Sequence, residues 1–330
     1  MNSFGRIFRV SILGESHGEQ VGVVIDGCPA GLELAPEDFA DDLARRRADG
    51  QFTTARKEPD EPLMVSGLFD GRTTGAPLTI LFQNRDIRSK DYFALKNTPR
   101  PGHADHTAYL KTGGWNDYRG GGHFSGRLTL GLVAAGVVAK KLLDGVTIAA
   151  EILEIGGAQQ PAKRLLEAQK EGDSLGGIIR CVATGLPAGL GEPFFDSVES
   201  LVSHIVFSIP GIKGIEFGAG FAAARMNGSE VNDAILDKKG RTLTNNAGGV
   251  NGGITSGNPL VFRIAARPTP SIRLTQQTVN LETGKKTEIT IAGRHDTCFA
   301  LRLPPILEGV TAIVLADLML REGKLPRVLS

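Results

Sequence analysis

Two stretches half a chain apart repeat one local plan. Gly22-Val23-Val24-Ile25-Asp26-Gly27-Cys28-Pro29-Ala30-Gly31-Leu32 precedes a helical pattern at Pro36. Gly177-Ile178-Ile179-Arg180-Cys181-Val182-Ala183-Thr184-Gly185-Leu186-Pro187-Ala188-Gly189-Leu190 precedes another near Asp196. Each reads as a strand, a G-x-P-A-G-L turn and a helix. The repeat predicts a duplicated unit sharing one core, with chance reuse of a common turn as the alternative. At 330 residues the chain can hold one large domain or two ordinary ones. No Ser/Pro/Gly-rich linker marks a boundary, so a single domain over residues 1–330 is expected.

Short runs rich in Val and Ile predict strands over Phe8–Leu13, Val21–Ile25, Leu63–Phe69, Leu78–Phe82, Val146–Ile155, Gly177–Ala183 and Leu260–Ala265. Phe39, Leu43 and Arg47 recur four apart behind Pro36, which predicts a helix over Pro36–Arg47. Leu128–Leu143 and Pro305–Arg321 are apolar around more of their circumference and should be buried helices. Asp196–Ile205 is a fourth candidate. This mixture argues for layered α/β or α+β. No G-x-G-x-x-G follows a strand and no Walker loop occurs, so a dinucleotide-binding doubly wound sheet is not supported.

Basic and acidic residues nearly cancel, 37 against 36, so no global field favours nucleic acid or an acidic membrane. Anions must be met by local arginine clusters. Cys28, Cys181 and Cys298 are widely spaced without a CxxC, which fits a reducing cytoplasm. Residues 1–8 contain no apolar leader core, and no apolar run reaches membrane-span length, Leu128–Leu143 being the longest candidate. A soluble cytoplasmic protein is expected.

Three polar loops centred on histidines interrupt this chain. They are Gly14-Glu15-Ser16-His17-Gly18, Arg100-Pro101-Gly102-His103-Ala104-Asp105-His106 and Gly293-Arg294-His295-Asp296. Each joins a proton-transfer group to a carboxylate, and two add an arginine, a plausible kit for moving protons beside a bound anion. In the first, His17 is a candidate acid or base with Ser16 as its partner; a solvated turn is the alternative. In the second, Arg100 offers a fork for phosphate or carboxylate, and His103 would protonate a leaving group. His106 could share a helical face with His103 or sit in a solvated first turn; a metal site there lacks a third ligand.

Glycine, at 43 residues, is roughly twice its usual share and falls in clusters that let backbone approach a ligand. Arg119-Gly120-Gly121-Gly122-His123-Phe124-Ser125-Gly126-Arg127 feeds the apolar helix, so its glycine run is a candidate anion site or else a hinge. Residues 245–257, polar and glycine-rich, suit a flat ring system or a phosphate, and lead to the rigid turn Arg267-Pro268-Thr269-Pro270-Ser271-Ile272. Arg45-Arg46-Arg47 with Arg56 and Lys57 exceeds what a helix C-terminus needs as dipole complement.

Taken in order, F-R-V-x-x-x-G-E-S-H-G, R-R-R, T-T-x-R-x-E-P-D, R-P-G-H-A-D, R-G-G-G-x-x-S-x-R, G-I-E-F-G-x-G-F, G-G-I-x-x-G, R-P-T-P-S-I and G-R-H-D-x-C resemble the chorismate synthase family, from about Phe4 to about Arg321. The resemblance implies a large β-α-β sandwich of the α+β class, usually homotetrameric. It implies a lyase that converts 5-enolpyruvylshikimate 3-phosphate to chorismate and phosphate by 1,4-anti elimination, dependent on reduced FMN without net redox change.

By the same resemblance His17 matches the histidine that protonates reduced flavin, His103 the acid toward departing phosphate, and Asp296 the base toward flavin N5. Ser16 and Ser125 match supporting serines. Arg46, Arg100, Arg127 and Arg294 match arginines around phosphate, carboxylates and flavin. His123, Phe124, Ser125, Gly252, Arg267, Pro268, Thr269, Pro270 and Ser271 fall on flavin-contacting positions.

The chain departs from the family at His123, where arginine is usual, at Phe124, and at Leu128. Phe52 replaces an arginine associated with NADPH contact in relatives. A weak or absent nicotinamide interaction is therefore expected, with a separate flavin reductase as a possible partner.

Overall fold

In the computed structural model, described for residues 2–47, 50, 52–53, 58–86, 93, 95–291 and 295–329, two antiparallel sheets enclose a layer of helices. The first half runs β1 (Ser3–Phe4), β2 (Arg9–Gly14), β3 (Gln20–Asp26), α1 (Ala40–Arg47), β4 (Leu63–Ser66), a small β5–β6 hairpin (Leu68–Phe69 and Arg72–Thr73), β7 (Leu78–Gln83), α2 (Asp105–Thr112) and α3 (Thr129–Leu142). The second runs β8 (Thr147–Ile155), α4 (Ala162–Glu171), β9 (Gly177–Thr184), α5 (Val198–Val206), β10 (Ile212–Phe217), α6 (Gly228–Val231), a β11–β12 ribbon (Val250–Asn251 and Ile254–Thr255), β13 (Leu260–Ala266), a β14–β15 hairpin (Gln276–Val279 and Lys286–Ile289) and α7 (Leu303–Arg321).

The order across the first sheet is β1-β2-β3-β7-β4, and across the second β8-β9-β13-β10. Without the short β1, both halves place their first, second, fourth and third strands side by side. Each then supplies one helix after its second strand, α1 or α5, and one after its last, α3 or α7. The repeated topology supports the duplicated unit read from the two G-x-P-A-G-L turns. The architecture is α+β.

Alternation explains the sheets. β9 and β13 bury every second residue, among them Ile179, Cys181, Phe262 and Ile264, and leave the others half-buried on the outer face. α3 and α7 lie between the sheets and are apolar nearly all round, so almost every residue in each is buried, as expected for them. They touch at Gly136 and Gly309, where a Cβ on Gly136 would lie 2.3 Å from the Gly309 Cα. Ser197 caps α5 by accepting from Ser200 N at 3.0 Å.

The structure corrects three expectations. Leu63–Phe69 is not one strand: Gly67, at φ +78, lies so close to Leu78 that a Cβ would reach its Cα at 2.6 Å, and the chain turns there. The longest apolar segment is not Leu128–Leu143. Helix 299–321 has the length and hydropathy of a membrane span, yet 94% of that window is buried inside the protein. Its two carboxylates have internal partners. Glu308 meets Arg45, Lys140 and the Ala150 N–H, and Asp317 accepts from the backbone N–H groups of Arg6, Ile7 and Phe8. Finally, α2, α4, β10 and the β14–β15 hairpin were not anticipated.

Candidate active site

A cavity of about 790 Å³ opens between the halves. His17, Arg46, Arg100, His103 and Arg127 come to it from the first half, and Arg267–Ser271 and Asp296 from the second. Phe4, Ile12, Leu132, Ile205 and Ile209 give it an apolar flank.

The first histidine loop closes the β2–β3 hairpin. Asn84, just past the end of β7, pins it, donating to the Glu15 and Gly18 carbonyls at 3.2 and 2.9 Å. Ser16 N donates to Gly122 O at 3.1 Å, and Ser125 Oγ donates to Ser16 Oγ at 3.1 Å. His17 is buried against Gly120. His123 adds a second link, its Nδ1 lying 2.8 Å from Gly14 O. The glycine run therefore does not open a helix directly; it folds as a tight turn before Ser125, which caps the short turn leading into α3.

The second loop is locked by its own carboxylate. Asp105 opens α2 but turns back, accepting from Arg100 Nε at 2.7 Å, Arg100 Nη2 at 2.8 Å and Arg100 N at 3.0 Å. His103 Nδ1 lies 2.5 Å from the same carboxylate. Burial alone would raise Asp105, but the hydrogen bonds from Arg100 and His103 outweigh it and hold it well below the usual carboxylate range. For His103 burial is the larger effect and lowers its pKa, helped by Arg100 and Arg267 and opposed by Asp105. Nδ1 is engaged by Asp105 and lies 3.0 Å from Arg100 Nη2, which leaves Nε2 as the nitrogen for a ligand. Arg100 Nη1 also donates to Ser271 Oγ at 3.0 Å, tying this loop to the Arg267–Ser271 turn. His106 is exposed and absent from the cavity lining.

Arg46 arrives from the end of α1 and Arg127 from the turn before α3. Arg46 donates to Thr129 Oγ1 at 3.1 Å and to the Gly126 and Arg127 carbonyls at 3.1 and 3.2 Å. Arg127 Nε donates to Asn84 Oδ1 at 3.0 Å. Burial pushes Arg46 down to about 9, with Arg127 and Arg302 adding to the effect and Asp60 and Asp296 opposing it. It remains a cation at neutral pH.

In the third loop Asp296 is gripped by Arg302, at 2.7 Å from Nε and 3.0 Å from Nη2. Arg302 also donates to the Arg46 and Arg47 carbonyls, joining the end of α1 to the entrance of α7. His295 lines the cavity beside it. Arg294, Arg56 and Lys57 lie outside the described residues.

The cavity thus gathers Ser16, His17, Arg46, Arg100, His103, His123, Phe124, Ser125, Arg127, the Arg267–Ser271 turn and Asp296. Gly252 is not among its lining residues; it sits at the turn of the β11–β12 ribbon. Asn84, Asp105 and Arg302 were missed as site residues. Only Asp105 carried a local signal, two residues from His103.

Histidines and a carboxylate set beside several guanidinium forks in one recessed cavity make a candidate enzyme site. The sequence profile of the chorismate synthase family matches residues 8–320. A chorismate synthase from Chitinophaga pinensis is 60% identical over 329 residues, 99% of each chain. One from Thermococcus gammatolerans is 47% identical over 96% of this chain and 97% of its own. A crystal structure of chorismate synthase superposes with a TM-score of 0.74 at 26% identity, covering 96% of this chain and 93% of that one. The chain belongs to the chorismate synthase family, lyases of the shikimate pathway.

Proposed function

We propose that this chain converts 5-enolpyruvylshikimate 3-phosphate to chorismate and phosphate by 1,4-anti elimination, using reduced FMN without net redox change. The convergence of His17, His103 and Asp296 with Arg46, Arg100 and Arg127 in one cavity carries this reading. The substrate's phosphate and two carboxylates must lose water on entry, and only fixed cations make that tolerable.

Arg100 steadies the departing phosphate, and His103 gives it a proton. The lowered pKa leaves His103 neutral in the empty pocket. A phosphate dianion beside Nε2 favours the imidazolium, so the proton is taken up with the substrate and handed to the leaving group. Arg46 and Arg127 receive the remaining anionic groups. His17 holds a proton for the flavin, Asp296 accepts one, and Ser16 and Ser125 orient the first loop.

The donor set fits a flavin. The Thr269 hydroxyl is buried in the 267–271 turn without a hydrogen-bond partner among the described residues. That turn with His123, Phe124 and Ser125 would hold the group, and Arg294 and Gly252 complete the set the family likeness suggests. When bound, reduced FMN would lend an electron as the C3–O bond breaks and help remove the C6 hydrogen.

Phe52 packs against the core instead of presenting a charge, which supports weak or absent NADPH contact and a separate flavin reductase. NADPH oxidation coupled to FMN reduction by the purified protein alone would count against this. A homotetramer in the cytoplasm, formed from single-domain chains, is the assembly this reading expects.

The decisive assay is anaerobic, with reduced FMN. Chorismate and phosphate without net flavin oxidation is the expected result. Net flavin oxidation would make the protein an oxidoreductase, and flavin binding without product a non-catalytic scaffold. His103→Ala should lower turnover by about two to four orders of magnitude while leaving flavin affinity largely intact; wild-type turnover in that variant would sink the assignment.

A further inference from the structure

Asp60 meets two of the cavity's guanidinium groups at once. One carboxylate oxygen accepts from Arg127 Nη1, and the other lies 3.7 Å from Arg46 Nη1. The side chains are almost sealed from water, 3% exposed for Asp60 and 7% for each arginine, so solvent does not screen the group. The two arginines come from different elements. Arg46 closes α1, whereas Arg127 lies in the turn ahead of α3. The other hydrogen bonds they make go to Thr129, Asn84 and backbone carbonyls, all neutral.

The backbone of Asp60 is left-handed, at φ +51, within Pro59-Asp60-Glu61-Pro62. Such a conformation is unfavourable for a residue with a Cβ, though Asp tolerates it better than most. Strain of this kind persists where surrounding structure requires a particular placement. Here it sets one carboxylate between two buried cations, where it acts on Arg46 more strongly than Asp296, the other nearby anion.

We propose that Asp60 is a positioning residue for substrate binding. It fixes the spacing of Arg46 and Arg127 so that both guanidinium planes are in place before an anionic group of the substrate arrives, and it offsets their repulsion while the cavity is empty. It neither gives nor takes a proton. The proposal rests on the reading of Arg46 and Arg127 as substrate-binding residues.

The test is steady-state kinetics of the full-length enzyme with reduced FMN and the phosphorylated substrate, with circular dichroism to check folding. Asp60→Asn keeps the size and tolerates the backbone but removes the charge. Loss of a charge-assisted contact should raise KM about tenfold or more, with kcat changed less than about threefold. Asp60→Gly relieves the backbone and also removes the carboxylate, so it should raise KM similarly, and it replaces Asp60→Asn if that variant does not fold. Wild-type KM in either folded variant overturns the proposal, as does loss of kcat at unchanged KM. Arg46→Lys and Arg127→Lys separate the two levels. If they raise KM and the Asp60 variants do not, only the positioning role fails. If neither arginine variant moves KM, the underlying reading fails and the proposal falls with it.

Discussion

At Gly120 a single hydrogen decides whether the first histidine loop can close on the cavity. A Cβ there would lie 2.5 Å from His17 Cδ2 and 3.0 Å from Ser16 Oγ, on a backbone at φ +59. Gly120→Ala should therefore displace His17 and lower kcat about a hundredfold, as small misplacements of reacting groups do; unchanged single-turnover kinetics would show that the loop gives way freely. His103 makes a different prediction. Because burial lowers its pKa, substrate binding near neutral pH should be accompanied by proton uptake, seen as a dependence of calorimetric heat on buffer ionisation enthalpy. That dependence should vanish in His103→Ala. At this scale the histidines were legible in sequence, since His17 and His103 sit in short loops beside glycine and arginine. Arg302 was not: six residues from Asp296, it becomes its partner only because the turn before α7 brings it back.

Among the elements, legibility followed burial. Most strands and helices that build the core announced themselves by alternation or by unbroken apolar character; β10, with only Ile212 buried, did not. β14 and β15, each three polar residues and one apolar one, pair at the surface and carry no apolar rhythm to read. α4 buries only Leu165 and Ala168, too few contacts over ten residues to stand out. The charged cluster around Glu308 is the helix layer's main polar joint. Glu308 is buried and receives Arg45 of α1, Lys140 of α3 and the Ala150 N–H of β8. Glu308→Ala should destabilise the protein by about 2–3 kcal/mol in urea unfolding, less than a sealed ion pair because Arg45 and Lys140 can reach water. A loss below about 0.5 kcal/mol would mean that the joint is ornamental.

For the whole molecule, acid should act in two stages. His103 has a lowered pKa, so below about pH 6.5 the unfolded chain takes up its proton first and stability begins to fall. Asp105 and Glu308 are held low, so their contribution is complete above about pH 4 to 4.5 and is lost as pH drops through their folded values. The melting temperature should therefore decline from pH 7 to 5 and more steeply below 4, and His103→Gln should remove its share of the first stage; an identical profile in that variant would count against it. The repeated strand order was foreshadowed by two short turns, but the seam between halves was invisible, because no linear signal says which faces meet. That seam holds the cavity, and the two halves also meet where α3 touches α7 at Gly136 and Gly309. This contact sets how closely the two halves approach. Widening it by one methyl would not open a hole at a single spot; it would shift every distance measured from one wall to the other, so tolerance at the heart of the protein is spent on alignment at its rim.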